Sequence, residues 1–135
     1  MEIVMIESVA QSNAANDARA TAYNSGTIEC RTGARVAIAS EPAGTLLGTL
    51  TFAADAFGDS ANRTMTAAAI TADSSADSAG TIGHIVCKSS GGTILSCHTA
   101  TLTGGGGEAV FESLTTEVGK AISITAFTIT QPDGA

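Results

Sequence analysis

Two periodicities divide the chain. Residues 8–24, SVAQSNAANDARATAYN, contain no Gly or Pro, and Val9, Ala14, Ala18 and Ala22 fall at helical spacing. Ser8 or Ser12 offers a side-chain cap at the start, and Asn24-Ser25-Gly26 supplies a stop. The pattern predicts one short helix over 8–24. Its apolar stripe is thin, so the helix needs a partner surface, its own sheet or another subunit.

After Gly26 the period changes to two. Strands are expected over 27–31, 35–40 (with Val36 and Ile38 on one parity), 45–53, 64–72, 81–88, 93–102, 108–116 and 121–130. Leu46, Leu50 and Phe52 share a face in the third of these. Turns or loops fall at 41–44, 54–63, 73–80, 89–92 and 103–107. In the last strand Ile122 and Ile124 are even while Phe127 and Ile129 are odd. One extra residue near Thr125-Ala126, a β-bulge, reconciles the two sets; a strand buried on both faces gives the same pattern. Eight or so short strands with Gly-rich turns point to a single domain over 1–135. It would be an antiparallel β-sandwich of jelly-roll type over 26–132, with one N-terminal helix and an arm at 1–7.

Composition narrows the function. Thirteen acids against six bases give a net charge of −7, and the bases are scattered, so direct nucleic-acid binding is not expected. No apolar run approaches the roughly 18 residues of a membrane span. The apolar start MEIVMIESVA places acids before any base and makes a poor signal peptide. Four Phe and no Trp make a small core, which favours stability gained partly through association.

Each candidate chemistry meets an obstacle. His84, Cys87, Cys97 and His98 form a zinc-like set by count. If the SSGG turn at 89–92 pairs Lys88 with Thr93, His84 faces Cys97 and Cys87 faces Ile94. His84 and Cys97 then share one face while Cys87 and His98 occupy the other, so four ligands do not converge and Cys87 and Cys97 stay apart. Asp55, Asp59, Asp73 and Asp77 lack the alternation of a calcium loop and read as solvated turn acids. The glycines at 104–107 are followed by Glu108 rather than Lys, so they read as a strand connection. There is no Gly-x-Ser-x-Gly, neither His lies beside a loop nucleophile, and one Tyr with four Phe is a poor stock for a sugar cleft. These readings lead to a non-enzymatic protein with no cofactor and no metal.

The ordered motifs resemble small virion structural proteins of tailed bacteriophages and prophages. An Ala-rich helix leads into Gly26-Thr27-Ile28. It is followed by Gly44-Thr45-Leu46-Leu47-Gly48-Thr49-Leu50-Thr51-Phe52, then Ala56-Phe57-Gly58, an Asp-rich stretch at 69–81, and an end running from Ile124 to Pro132. The chain departs from that pattern in carrying Gly83-His84-Ile85 where the family tends to place an aromatic-Arg pair. It also has Glu29-Cys30-Arg31 in place of Lys-x-Tyr. The resemblance implies a virion structural protein; the reading carried forward is a capsid decoration (cement) protein bound to the major capsid protein, as a homotrimer at local symmetry axes. A tail, neck or head-fibre component is the alternative, and a carbohydrate-binding module a more distant one. The apolar run Ile3, Val4, Met5 and Ile6, with Val9, is the candidate assembly contact. It is strand-prone and would add to an edge of a neighbour, or fold back as a first strand of its own sandwich.

Overall fold

The computed structural model describes residues 8–34, 44–62, 64–102, 105 and 108–130. Helix α1 spans Val9–Tyr23 and begins where Ser8 accepts the Gln11 N–H with its hydroxyl. Its buried face is Ser12, Asn16, Ala20 and Tyr23, not the expected stripe. Val9 is 40% exposed, and Ala14, Ala18 and Ala22 face outward. Polar pairing and one large ring set the helix's rotation. Asn16 Nδ2 donates to Ser60 Oγ at 3.1 Å, and the Ser60 N–H donates to Asp17 Oδ1 at 2.8 Å. Tyr23 meanwhile enters the aromatic core. Three alanine methyls offer too little apolar area to outweigh these contacts.

The helix ends with Ser25 in the left-handed region at φ 56°. A Cβ on Gly26 would lie 2.2 Å from the Lys88 carbonyl oxygen and 2.9 Å from that of Tyr23. Gly26 is therefore the residue that lets helix and sheet meet. Gly26→Ala is expected to destabilise the fold by about 1–3 kcal/mol through overpacking, read as a lower urea midpoint at unchanged slope.

The strands are β1 (Thr27–Arg31), β2 (Leu46–Thr51), β3 (Thr64–Thr66), β4 (Gly80–Thr81), β5 (His84–Lys88), β6 (Ile94–Leu102), β7 (Ala109–Phe111), β8 (Thr115–Thr116) and β9 (Ile124–Thr130). Seven form one sheet in the order β2-β1-β5-β6-β7-β9-β3, and β4 pairs with β8 in a two-stranded ribbon. The molecule is thus mainly β with one helix, and the sheet is mixed: β6 and β7 run parallel while the other pairs are antiparallel.

Parallel neighbours ordinarily need a long crossover. Here β6 ends at Leu102 and β7 begins at Ala109, and Gly105 lies between them. Gly105 donates its N–H to the Leu102 carbonyl at 2.9 Å, and a Cβ there would sit 2.7 Å from Thr101 Cβ. Gly105 therefore sits where a side chain does not fit.

The expected strands 81–88 and 108–116 are each broken. Gly80–Thr81 joins the ribbon and His84–Lys88 the large sheet, with Gly83 N–H donating to Arg31 O at the switch. Between β7 and β8, Ser113 Oγ accepts the Thr115 N–H in a local turn that competes with the ladder. The expected strand 64–72 shortens because this segment passes from one sheet edge to the other. Thr64–Thr66 pair with β9, while Thr71 pairs with Thr51 of β2. The sheet is therefore curled until its edges meet around one core.

Two bulges phase the core-facing positions. Cys30 pairs with Gly48 and Arg31 with Leu46, so Leu47 is the extra residue. Leu47, rather than Leu46, joins Leu50 and Phe52 in the interior. On β9, Val110 pairs with Ala126 and Phe111 with Ile124, leaving Thr125 as the bulge the sequence predicts. It brings Ile122, Ile124, Phe127 and Ile129 onto the core side. The expected strand over 35–40, the turn residues 41–43 and the arm at 1–7 lie outside the described residues.

Candidate functional site

The β5–β6 hairpin carries most of the chain's unusual chemistry. Its register differs from the expected one by two residues: His84 pairs with Thr99 and Cys87 with Ser96. A shift of two preserves the faces. His84 and Cys97 do share one face, and Cys87 and His98 the other. The register breaks once more between Cys87 and Lys88, where Leu95 is left unpaired as a third bulge just before Ser96.

On the outer face, His84 Nδ1 lies 2.9 Å from the Gly33 carbonyl oxygen, and its buried Nε2 has no partner. Beside it Glu29 accepts from Arg31 and Lys88, each at 3.0 Å, at 13% side-chain exposure. Among the described residues no three His, Cys, Asp or Glu side chains form a group suited to a metal ion.

The cysteines are free thiols. Burial, with a smaller contribution from the Asp73 charge, pushes the Cys30 thiol up to about 12, and burial pushes Cys87 up as well. Both remain protonated and unreactive at neutral pH. Asp73 is not the solvated turn acid expected. Half-buried, it accepts the Thr49 N–H at 2.8 Å and the Ser75 N–H at 2.9 Å, holding β2 to the Asp-rich loop. Asp55, Asp59 and Asp77 are exposed.

The inner face holds a continuous polar chain. Tyr23 Oη lies 2.8 Å from Ser96 Oγ, Ser96 Oγ 2.7 Å from His98 Nε2, and His98 Nδ1 2.7 Å from Glu108 Oε1. A carboxylate oxygen only accepts, so His98 Nδ1 carries the proton toward Glu108; in the tautomer with hydrogen on Nδ1 alone, Nε2 accepts. Ser96 then donates to His98 and accepts from Tyr23. Burial raises the Tyr23 pKa, the bond to Ser96 opposing it, so the phenol stays a donor. Phe127 packs edge-on against the His98 ring at 4.9 Å and fixes its plane.

The sequence offers no loop nucleophile beside either His; the serine of this polar chain lies on a strand instead. The legible signal was Ser96-x-His98, two residues on one face of a strand. Glu108 carried no signal, since the parallel β6–β7 pairing delivers it.

Of the candidate assembly residues, Ile3, Val4, Met5 and Ile6 lie outside the described residues. Val9 opens α1, and Leu102 and Val118 are the other exposed large apolar side chains among the described residues. Comparison of the chain with family models, curated proteins and solved structures gives no match.

Proposed function

We propose that the protein is a virion structural protein of the tailed-phage kind. It would act as a capsid decoration (cement) protein that binds the major capsid protein as a homotrimer, with its curled sheet serving as a jelly-roll-type sandwich. Its role in the particle is architectural, adding stability by binding the assembled shell.

One observation carries this reading: the motif segments behind the phage resemblance converge in space. Phe52, Phe57 and Phe127 come from three of those segments, and their ring centroids lie 5.6 to 6.1 Å apart. Asp73, from a fourth, holds the backbone of Thr49 in the first. The segments that carry the resemblance thus pack together as one core, which supports reading them as one architectural pattern.

The test is band densitometry of purified virions. A decoration protein approaches the major capsid protein in copy number. A few tens of copies would overturn the decoration role in favour of a tail, neck or head-fibre part, and absence from virions would overturn the virion reading. For assembly, Val9→Asp combined with deletion of residues 1–7 is expected to leave the circular dichroism spectrum intact and convert trimer to monomer in sedimentation. A variant that stays trimeric would remove these residues from the contact.

A further inference from the structure

We propose that Ser96 is an activated nucleophile and that the fold carries an acyl-transfer activity toward small activated esters, beyond its architectural role. A hydrogen-bonded Tyr23 needs one acceptor, and the Ser96 hydroxyl supplies it. The chain does not stop there. Ser96 donates at 2.7 Å to the imidazole of His98, and His98 is held at 2.7 Å by Glu108 on its other nitrogen. Nucleophile, base and orienting acid are thus in hydrogen-bond reach of one another, in the roles that define nucleophilic serine catalysis whatever the fold. The bulge at Leu95 sets the phase of β6 so that Ser96 and His98 face inward under the helix terminus. Tyr23 holds the Ser96 oxygen through its own hydroxyl at 2.8 Å, so nucleophile and base are fixed against each other.

In the acylation step Ser96 Oγ forms a bond to the carbonyl carbon and passes its proton to His98 Nε2. The carbonyl π pair moves to oxygen. Collapse breaks the bond to the leaving alkoxide or phenoxide, which takes the proton from Nε2. Water then attacks the acyl-Ser96 by the same route, giving its proton to His98. The acid is released and Ser96 recovers its hydrogen. Glu108 acts as a positioning residue, keeping the proton on Nδ1. Ser96 is partly exposed, while Tyr23, Cys87 and His98 around it are buried. The site therefore takes a short acyl group, acetyl rather than a long chain.

The experiment treats the full-length protein with a fluorophosphonate probe and with p-nitrophenyl acetate. One adduct on Ser96 is expected by peptide mass mapping, together with p-nitrophenol release that Ser96→Ala lowers by about 10²-fold or more. Glu108→Gln is expected to lower the rate and shift its pH profile, and Glu108→Asp to restore part of it; a merely structural role would leave the profile in place. Each variant is first matched to the parent by urea midpoint. If a variant fails to fold, site mapping on the unmodified protein decides alone. No adduct on the folded protein, an adduct elsewhere, or equal turnover by folded Ser96→Ala overturns the proposal.

Discussion

Phe127→Ala is expected to destabilise the protein by about 3–5 kcal/mol, the usual range for emptying a buried aromatic site. Phe127 is 1% exposed and touches rings from three parts of the chain: Phe52 at 6.1 Å, Phe57 at 5.8 Å and His98 at 4.9 Å. The backbone around it has little freedom to collapse into the space, because Phe127 pairs with Ala109 and its carbonyl accepts the Ala67 N–H. Domains of this size have a total stability of about 5–15 kcal/mol, so this single loss removes a large share of it. In urea the variant should show a much lower midpoint or no cooperative transition at 25 °C. Phe127→Leu keeps most of the volume and should lose markedly less. A Phe127→Ala variant within about 1 kcal/mol of the parent would mean that the ring cluster is not the centre of the fold.

The same residue shows what the sequence made legible. Ile122 and Ile124 on one parity and Phe127 and Ile129 on the other fitted either an extra residue or a strand buried on both faces, and the structure has the extra residue, Thr125. Wherever bulky apolar side chains alternate, as in Thr27–Arg31 and the β5–β6 hairpin, strands and faces were readable. The helix limits were readable from Ser8 and Asn24, but its buried face was not. Alanines carry almost no directional information, and the rotation is decided by Asn16, Asp17 and Tyr23 finding partners in segments distant in sequence. Leu47 replaced Leu46 in the core because a bulge sits between two adjacent leucines, where hydropathy cannot tell the positions apart. The parallel β6–β7 pair was hidden by its own connection. A glycine run reads as slack, yet the strands on either side of it pair in parallel and Glu108 reaches His98. Of the polar chain only Ser96 and His98, two apart on one strand face, were legible; Tyr23 and Glu108 arrive by tertiary routes.

Raising the pH is expected to destabilise the protein steeply above about 9, with the buried thiols as the cause. Cys30 has a reference pKa of 9.0 and is pushed to about 12 in the folded state; desolvation comes first and the Asp73 charge second. A raised pKa means that the folded state holds a proton the unfolded chain has lost. Stability from this group is complete below the unfolded value and falls as pH climbs from about 9 toward about 12. Each thiol so held lowers stability by about 1.4 kcal/mol per pH unit in that window. Cys87, fully buried opposite Ile28, acts in the same direction. Tyr23 steepens the loss above its reference value of 10.0. Urea titrations at pH 7, 9 and 10.5 should show little change between the first two and a sharp drop at the third. Cys30→Ala is expected to be less stable at pH 7, because it leaves a cavity, yet to lose about 1.4 kcal/mol per pH unit less over the alkaline range. An unchanged slope in that variant would show that Cys30 ionises freely in the folded protein, and that the contact between β1 and the Asp73 loop is open to water.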